Sequence, residues 1–153
     1  MKMKLANILS AIILLASFAV TPAYGQDTFD TETANVTMTV GLYASITGLD
    51  DFALTTTDID GSAGAVYDGA DNFNVESNGQ VRVVLSGANL TNGSDSVSTV
   101  YELDSTGGTT FDTASGVVHN ASHSVSAAAT LGAISDQLSG NYASTITLTV
   151  SAL

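Results

Sequence analysis

The chain has 153 residues, no cysteine and a single proline, with 15 acidic side chains against three basic ones. That length suits one domain, which must form its core without disulfides. The acidic balance repels nucleic acid and anionic lipid, so neither is an expected partner.

Residues 1–25 read as a signal peptide. Lys2 and Lys4 form a positive n-region, Ile8 to Val20 is apolar apart from Ser10 and Ser17, and Ala23-Tyr24-Gly25 supplies small residues at the cleavage site. Export is therefore expected, to the extracellular space or the cell surface. The apolar run is short for a membrane span, so no membrane insertion of the mature chain is expected. No cysteine follows it to carry a lipid anchor. Cleavage after Gly25 leaves Arg82 as the only basic side chain against all 15 acidic ones, a net side-chain charge of −14.

Residues 26–33 are polar, acidic and aperiodic, and read as a mobile N-terminal arm. The sandwich domain is expected over 34–153. Its first strand is predicted across Ala34 to Ile46, where Val36, Met38, Val40, Leu42 and Ala44 share one parity. Gly48 to Asp51 follows as a turn. Residues 55–72 carry three glycines and four aspartates around a short apolar piece, and are expected to be a long loop or a weak edge strand.

Regular structure restarts at Phe73. FNVESNGQVRVVLSG reads as two strands joined in a hairpin at Ser77-Asn78-Gly79. Asn89 to Ser96 is a polar turn region. Short strands are expected at Val97 to Leu103 and Thr109 to Phe111, the second extending to Val117-Val118. Val125 to Leu131 fits a strand, although Ala127, Leu131, Ile134 and Leu138 also fit a helical stripe; the strand followed by one short helical turn is preferred. The last strand has the clearest period of two. Tyr142, Ser144, Ile146, Leu148, Val150 and Ala152 form one face, and a threonine-rich ladder forms the other. Short strands at these intervals without a long helix describe an all-β, immunoglobulin-like Greek-key β-sandwich.

Candidate chemistry is sparse. Asp58, Asp60, Asp68 and Asp71 put hard oxygen ligands among glycines, which suits calcium, although the spacing is not that of an EF-hand and a solvated acidic loop is the plain alternative. No other cofactor is implied. His119 and His123 are four apart, about 13 Å along a strand, and are expected to be too distant to share an ion. No nucleophile motif appears, and the aromatics show no sugar-stacking cluster, so no enzymatic activity is expected. Tyr142 is placed to form a tyrosine corner.

Three stretches resemble spore coat protein U and chaperone-usher-type fimbrial subunits: ANVTMTVGLYASITGLDDFALT, FNVESNGQVRVVLSG and ATLGAISDQLSGNYASTITLTVSAL. The resemblance implies a pilin-like sandwich that polymerises when an N-terminal segment fills a groove in the next copy, with a periplasmic chaperone as a further partner. Val36, Met38, Val40 and Leu42 are then expected to dock on an edge beside Ile146, Leu148 and Val150, making a filament, coat or biofilm matrix of copies of the same chain. The alternative expectation is a monomeric secreted calcium- or carbohydrate-binding module.

Overall fold

The structure, a computed structural model, describes residues 30–153. The expected signal peptide and residues 26–29 of the arm lie outside the described residues. The chain divides into two units, Met1–Thr39 and Val40–Leu153. In the first, residues 30–39 carry no secondary structure and are exposed. The second is an all-β sandwich.

One sheet has four antiparallel strands in the order β1 (Ala44–Thr47), β2 (Val66–Ser77), β8 (His119–Thr130), β6 (Thr99–Leu103). The facing sheet has three, in the order β7 (Thr110–Asp112), β3 (Val81–Gly87), β9 (Ile146–Ala152). A small ribbon pairs β4 (Leu90–Asn92) with β5 (Asp95–Val97) around Gly93, whose φ of 64° lies in the left-handed region that favours glycine. Among the described residues the only helical piece is a short 3-10 turn, Ile134–Asp136, after β8. Residues 125–131 are thus strand followed by a short turn, and the helical stripe is not realised. No helix among the described residues is long and apolar enough to cross a membrane.

Alternation explains how the sheets close. Phe73 and Val75 of β2, Val125 of β8 and Leu103 of β6 point inward from one sheet, and Val81, Val83 and Leu85 of β3 meet them from the other. All seven are buried, and each large apolar side chain so buried contributes about 1.5–3 kcal/mol. The two buried polar residues, Ser77 and Thr113, are satisfied: Ser77 Oγ donates to Gly79 O at 2.7 Å, and Thr113 Oγ1 accepts from Val81 N at 2.9 Å. Arg82 sits opposite Asp112 in the β3–β7 register and holds it with two bonds, of 2.7 and 2.8 Å. That guanidinium keeps the Asp112 carboxyl below the usual carboxylate range.

Several predicted elements are corrected. The strand expected over Ala34 to Ile46 is realised only as Ala44–Thr47. Residues 66–72, expected in a long loop or a weak edge strand, form the first half of β2, an interior strand that pairs with β8 through all twelve positions. Asn78-Gly79 is not a hairpin turn, because β2 and β3 lie in different sheets. A tight two-residue hairpin of the expected type needs positive φ at both central positions, and neither Asn78 nor Gly79 has it. Since Phe73, Val75, Val81, Val83 and Leu85 all need burial, the two strands face each other across the core instead. The region 89–96 holds the β4–β5 ribbon, and Val117-Val118 are exposed outside any strand. β9 starts at Ile146, four residues after Tyr142.

Candidate functional site

β9 is the edge of its sheet: among the described residues it pairs with β3 alone. The direction of its unpaired groups follows from β3. Leu85 N donates to Thr109 O at 2.8 Å, and Thr113 N donates to Val81 O at 2.9 Å, so the odd-numbered β3 residues bond toward β7. The even-numbered ones, Arg82, Val84 and Ser86, therefore bond to their partners Ser151, Thr149 and Thr147 in β9. That leaves the backbone N–H and C=O of Ile146, Leu148 and Val150 directed at the open edge. Their side chains lie half-buried against the core, beside β1. The edge thus offers both halves of what an incoming strand needs, hydrogen bonds and apolar contact.

At the start of β9 the edge runs into a cleft of about 1100 Å³. Leu49, Phe52 and Leu54, which follow β1, line one part, and Leu138, Tyr142 and Ile146 line another. Tyr67 and Tyr101 also line it. Their hydroxyls are engaged: Tyr101 donates to Ala88 O at 2.7 Å and Tyr67 to the Asp60 carboxylate. Tyr142 donates to Leu138 O at 2.9 Å, the local backbone bond expected of a tyrosine corner.

The N-terminal set divides in two. Val36, Met38 and Val40 are 95%, 86% and 69% exposed. This alternating apolar run lies outside the core. Leu42 is different, lying over Gly79 closely enough that a Cβ there would meet its Cδ1 at 2.8 Å. Asn78 fixes this stretch by acting as a surrogate strand: its amide donates to Gly41 O at 2.8 Å and accepts from Tyr43 N at 2.7 Å. In sequence, Asn-Gly carries the signal of a turn, and nothing in it marks the amide as a strand partner.

The four aspartates expected to bind calcium are not gathered. Among the described residues no three His, Asp or Glu side chains stand together as a metal centre. Asp68 and Asp71 are three apart in β2 and so point to opposite faces. Asp71 accepts from Asp50 N at 2.7 Å, and Asp58 accepts from Val66 N at 2.9 Å, so these carboxylates cap local backbone. Asp60 accepts a hydrogen bond from the Tyr67 hydroxyl, and that bond to the protonated phenol raises the Tyr67 pKa above its ordinary value.

No protein-family model matches this chain, and no curated protein matches it. What it can do has to be argued from the open edge, the cleft and the exposed segment.

The histidines also differ from expectation. His119 Nε2 lies 3.0 Å from His123 Nε2. Both face inward from β8, and the residue between them on that face is Ala121, too small to keep the rings apart. The 13 Å figure described the backbone and ignored side chains that lean along the strand.

Proposed function

We propose that this chain is an exported structural subunit of an extracellular filament, coat or matrix, assembling with copies of itself by strand addition. The observation that carries the reading is the match between two incomplete parts. Val36, Met38 and Val40 present alternating apolar side chains with nothing to bury them. Ile146, Leu148 and Val150 present an unpaired edge with apolar side chains only half covered. Segment 34–40 of one copy, laid along β9 of the next and into the adjoining cleft, would satisfy both. On this reading the sandwich is an immunoglobulin-like one left open at β9, as the resemblance to spore coat protein U and chaperone-usher-type subunits implies. A periplasmic chaperone would cover the same edge before assembly.

The test is replacement of Met38 and Val40 together by aspartate, read by size-exclusion chromatography and negative-stain electron microscopy. The unmodified chain is expected to form fibres and the variant to remain monomeric, with an unchanged melting temperature. Fibres formed equally well by the variant would end the donor role of this segment. A second reading, a monomeric carbohydrate-binding module, is favoured by the gathering of Phe52, Tyr67, Tyr101 and Tyr142 at the cleft. It predicts a monodisperse chain that retains a glycan and loses it on Tyr101→Ala.

A further inference from the structure

Asp104, His123 and His119 form a chain of side chains running from the turn after β6 along β8. Two φ-positive residues in succession, Asp104 at 52° and Ser105 at 55°, turn the chain after β6, and Thr106 N closes the turn on Leu103 O at 3.0 Å. The turn aims the Asp104 carboxylate at β8. There Oδ1 accepts from Ser124 N at 2.9 Å, and Oδ2 meets His123 Nδ1 at 2.7 Å. The His123 ring is held flat by Phe111 of the facing sheet, stacked at 4.1 Å between centroids, with Phe73 at 5.8 Å. A carboxylate can only accept here, so Nδ1 carries the hydrogen and the His123 Nε2 lone pair points at His119.

We infer that His119 and His123, oriented by Asp104, form a binding site for a borderline divalent transition-metal ion, with copper(II) the best fit. Imidazole nitrogens bind such ions at about 2.0–2.1 Å. Two of them 3.0 Å apart then subtend an angle close to a right angle at the ion, the relation of neighbouring ligands in a tetragonal site. The ion sits off the line joining the two Nε2 atoms and displaces the hydrogen they now share; the His119 ring turns to face it, and its proton moves to its own Nδ1. No net charge leaves the pair. A carboxylate on the far nitrogen of a ligating histidine is the recurrent device that fixes the tautomer and raises ligand basicity. His119 also borders a cleft of about 340 Å³ lined by Tyr43, Glu76, Ser77, Asn78 and Asn120. Through it, water can fill the remaining positions. The chain's excess of acidic groups, whose single arginine is already paired with Asp112, draws cations toward the surface.

This site is independent of strand addition, since none of its residues belongs to β9 or the N-terminal segment. The experiment is titration of the purified chain with copper(II), followed by calorimetry and electron paramagnetic resonance, alongside His119→Gln, His123→Gln and Asp104→Asn. One equivalent is expected to show hyperfine coupling to two nitrogens. Either histidine variant should lose at least one nitrogen and weaken binding tenfold or more, and Asp104→Asn should weaken it 10–100-fold. Circular dichroism establishes that each variant keeps its strands, and His119→Gln, at the solvent-facing end of the pair, carries the test if His123→Gln does not fold. An all-oxygen copper spectrum, or undiminished affinity in His119→Gln, would overturn the site and assign the copper to surface carboxylates.

Discussion

The β2–β8 pair and the β9 edge with its N-terminal counterpart are built on opposite principles. β2 and β8 are each paired on both sides, run for 12 residues and bury Phe73, Val75 and Val125 completely, yet their sequences are broken by Gly, Asn, Asp, Ser and His. Clean alternation also lies where little or only half is buried, in Val36 to Val40 and along β9. Apolar patterning that exceeds what a fold itself uses points to contacts supplied from outside. That contrast is what makes an assembling subunit the economical reading.

The contrast can be broken most directly by truncating one residue in each region. Phe73→Ala empties the centre of the core and should lower unfolding free energy by about 3–5 kcal/mol in urea denaturation. Met38→Ala, from an equally apolar residue in an alternating run, should stay within about 0.5 kcal/mol in a monomeric preparation. Similar losses for the two would mean that the N-terminal segment packs into its own domain, and the strand-addition reading would fall with it.

Where the sequence misled, it did so for physical reasons that can be located. The apolar parity of β3 and β9 is legible because their inward positions are Val, Leu and Ile throughout. The first half of β2 is not, because its inward positions are Tyr67, Gly69 and Asp71, and the chain itself covers them. A Cβ at Gly69 would overlap the Ala53 carbonyl oxygen and press on Leu54 at 3.0 Å. Asp71 accepts from Asp50 N. The segment after β1 thus fills a face that side chains would fill elsewhere, and no pattern in residues 66–72 announces that. Open edges are likewise invisible in sequence: the parity of Ile146, Leu148 and Val150 was plain, but only the sheet order shows that their backbone groups lack partners. The histidine pair needed the rings themselves.

That account of β2 has its own test. Gly69→Ala should destabilise by about 1–3 kcal/mol, because backbone rather than a flexible side chain must move to admit the methyl group. In a solvated loop with no special φ the same change would be neutral or slightly stabilising. A neutral result in thermal and urea unfolding would return residues 66–72 to the loop or weak edge strand expected from their composition.

The smallest expected effect sharpens the comparison where the turn after β6 meets β8, and polar rather than apolar contacts hold the strands together. Burial alone would raise the Asp104 carboxyl, but the hydrogen bond with His123 and that from Ser124 N–H outweigh it and hold the group below its ordinary value of 3.8. A carboxyl depressed in the folded state contributes stability above its unfolded pKa, and that contribution is lost as pH falls through the folded one. Asp104 is 34% exposed, so solvent screening keeps the contribution to about 1 kcal/mol or less. Asp104→Asn should therefore be less stable than the unmodified chain at pH 7, with the gap narrowing below about pH 4 as both chains carry a neutral side chain. A gap that stays constant down to pH 2 would show that residue 104 acts through its strained turn alone, and that its charge contributes nothing to holding His123.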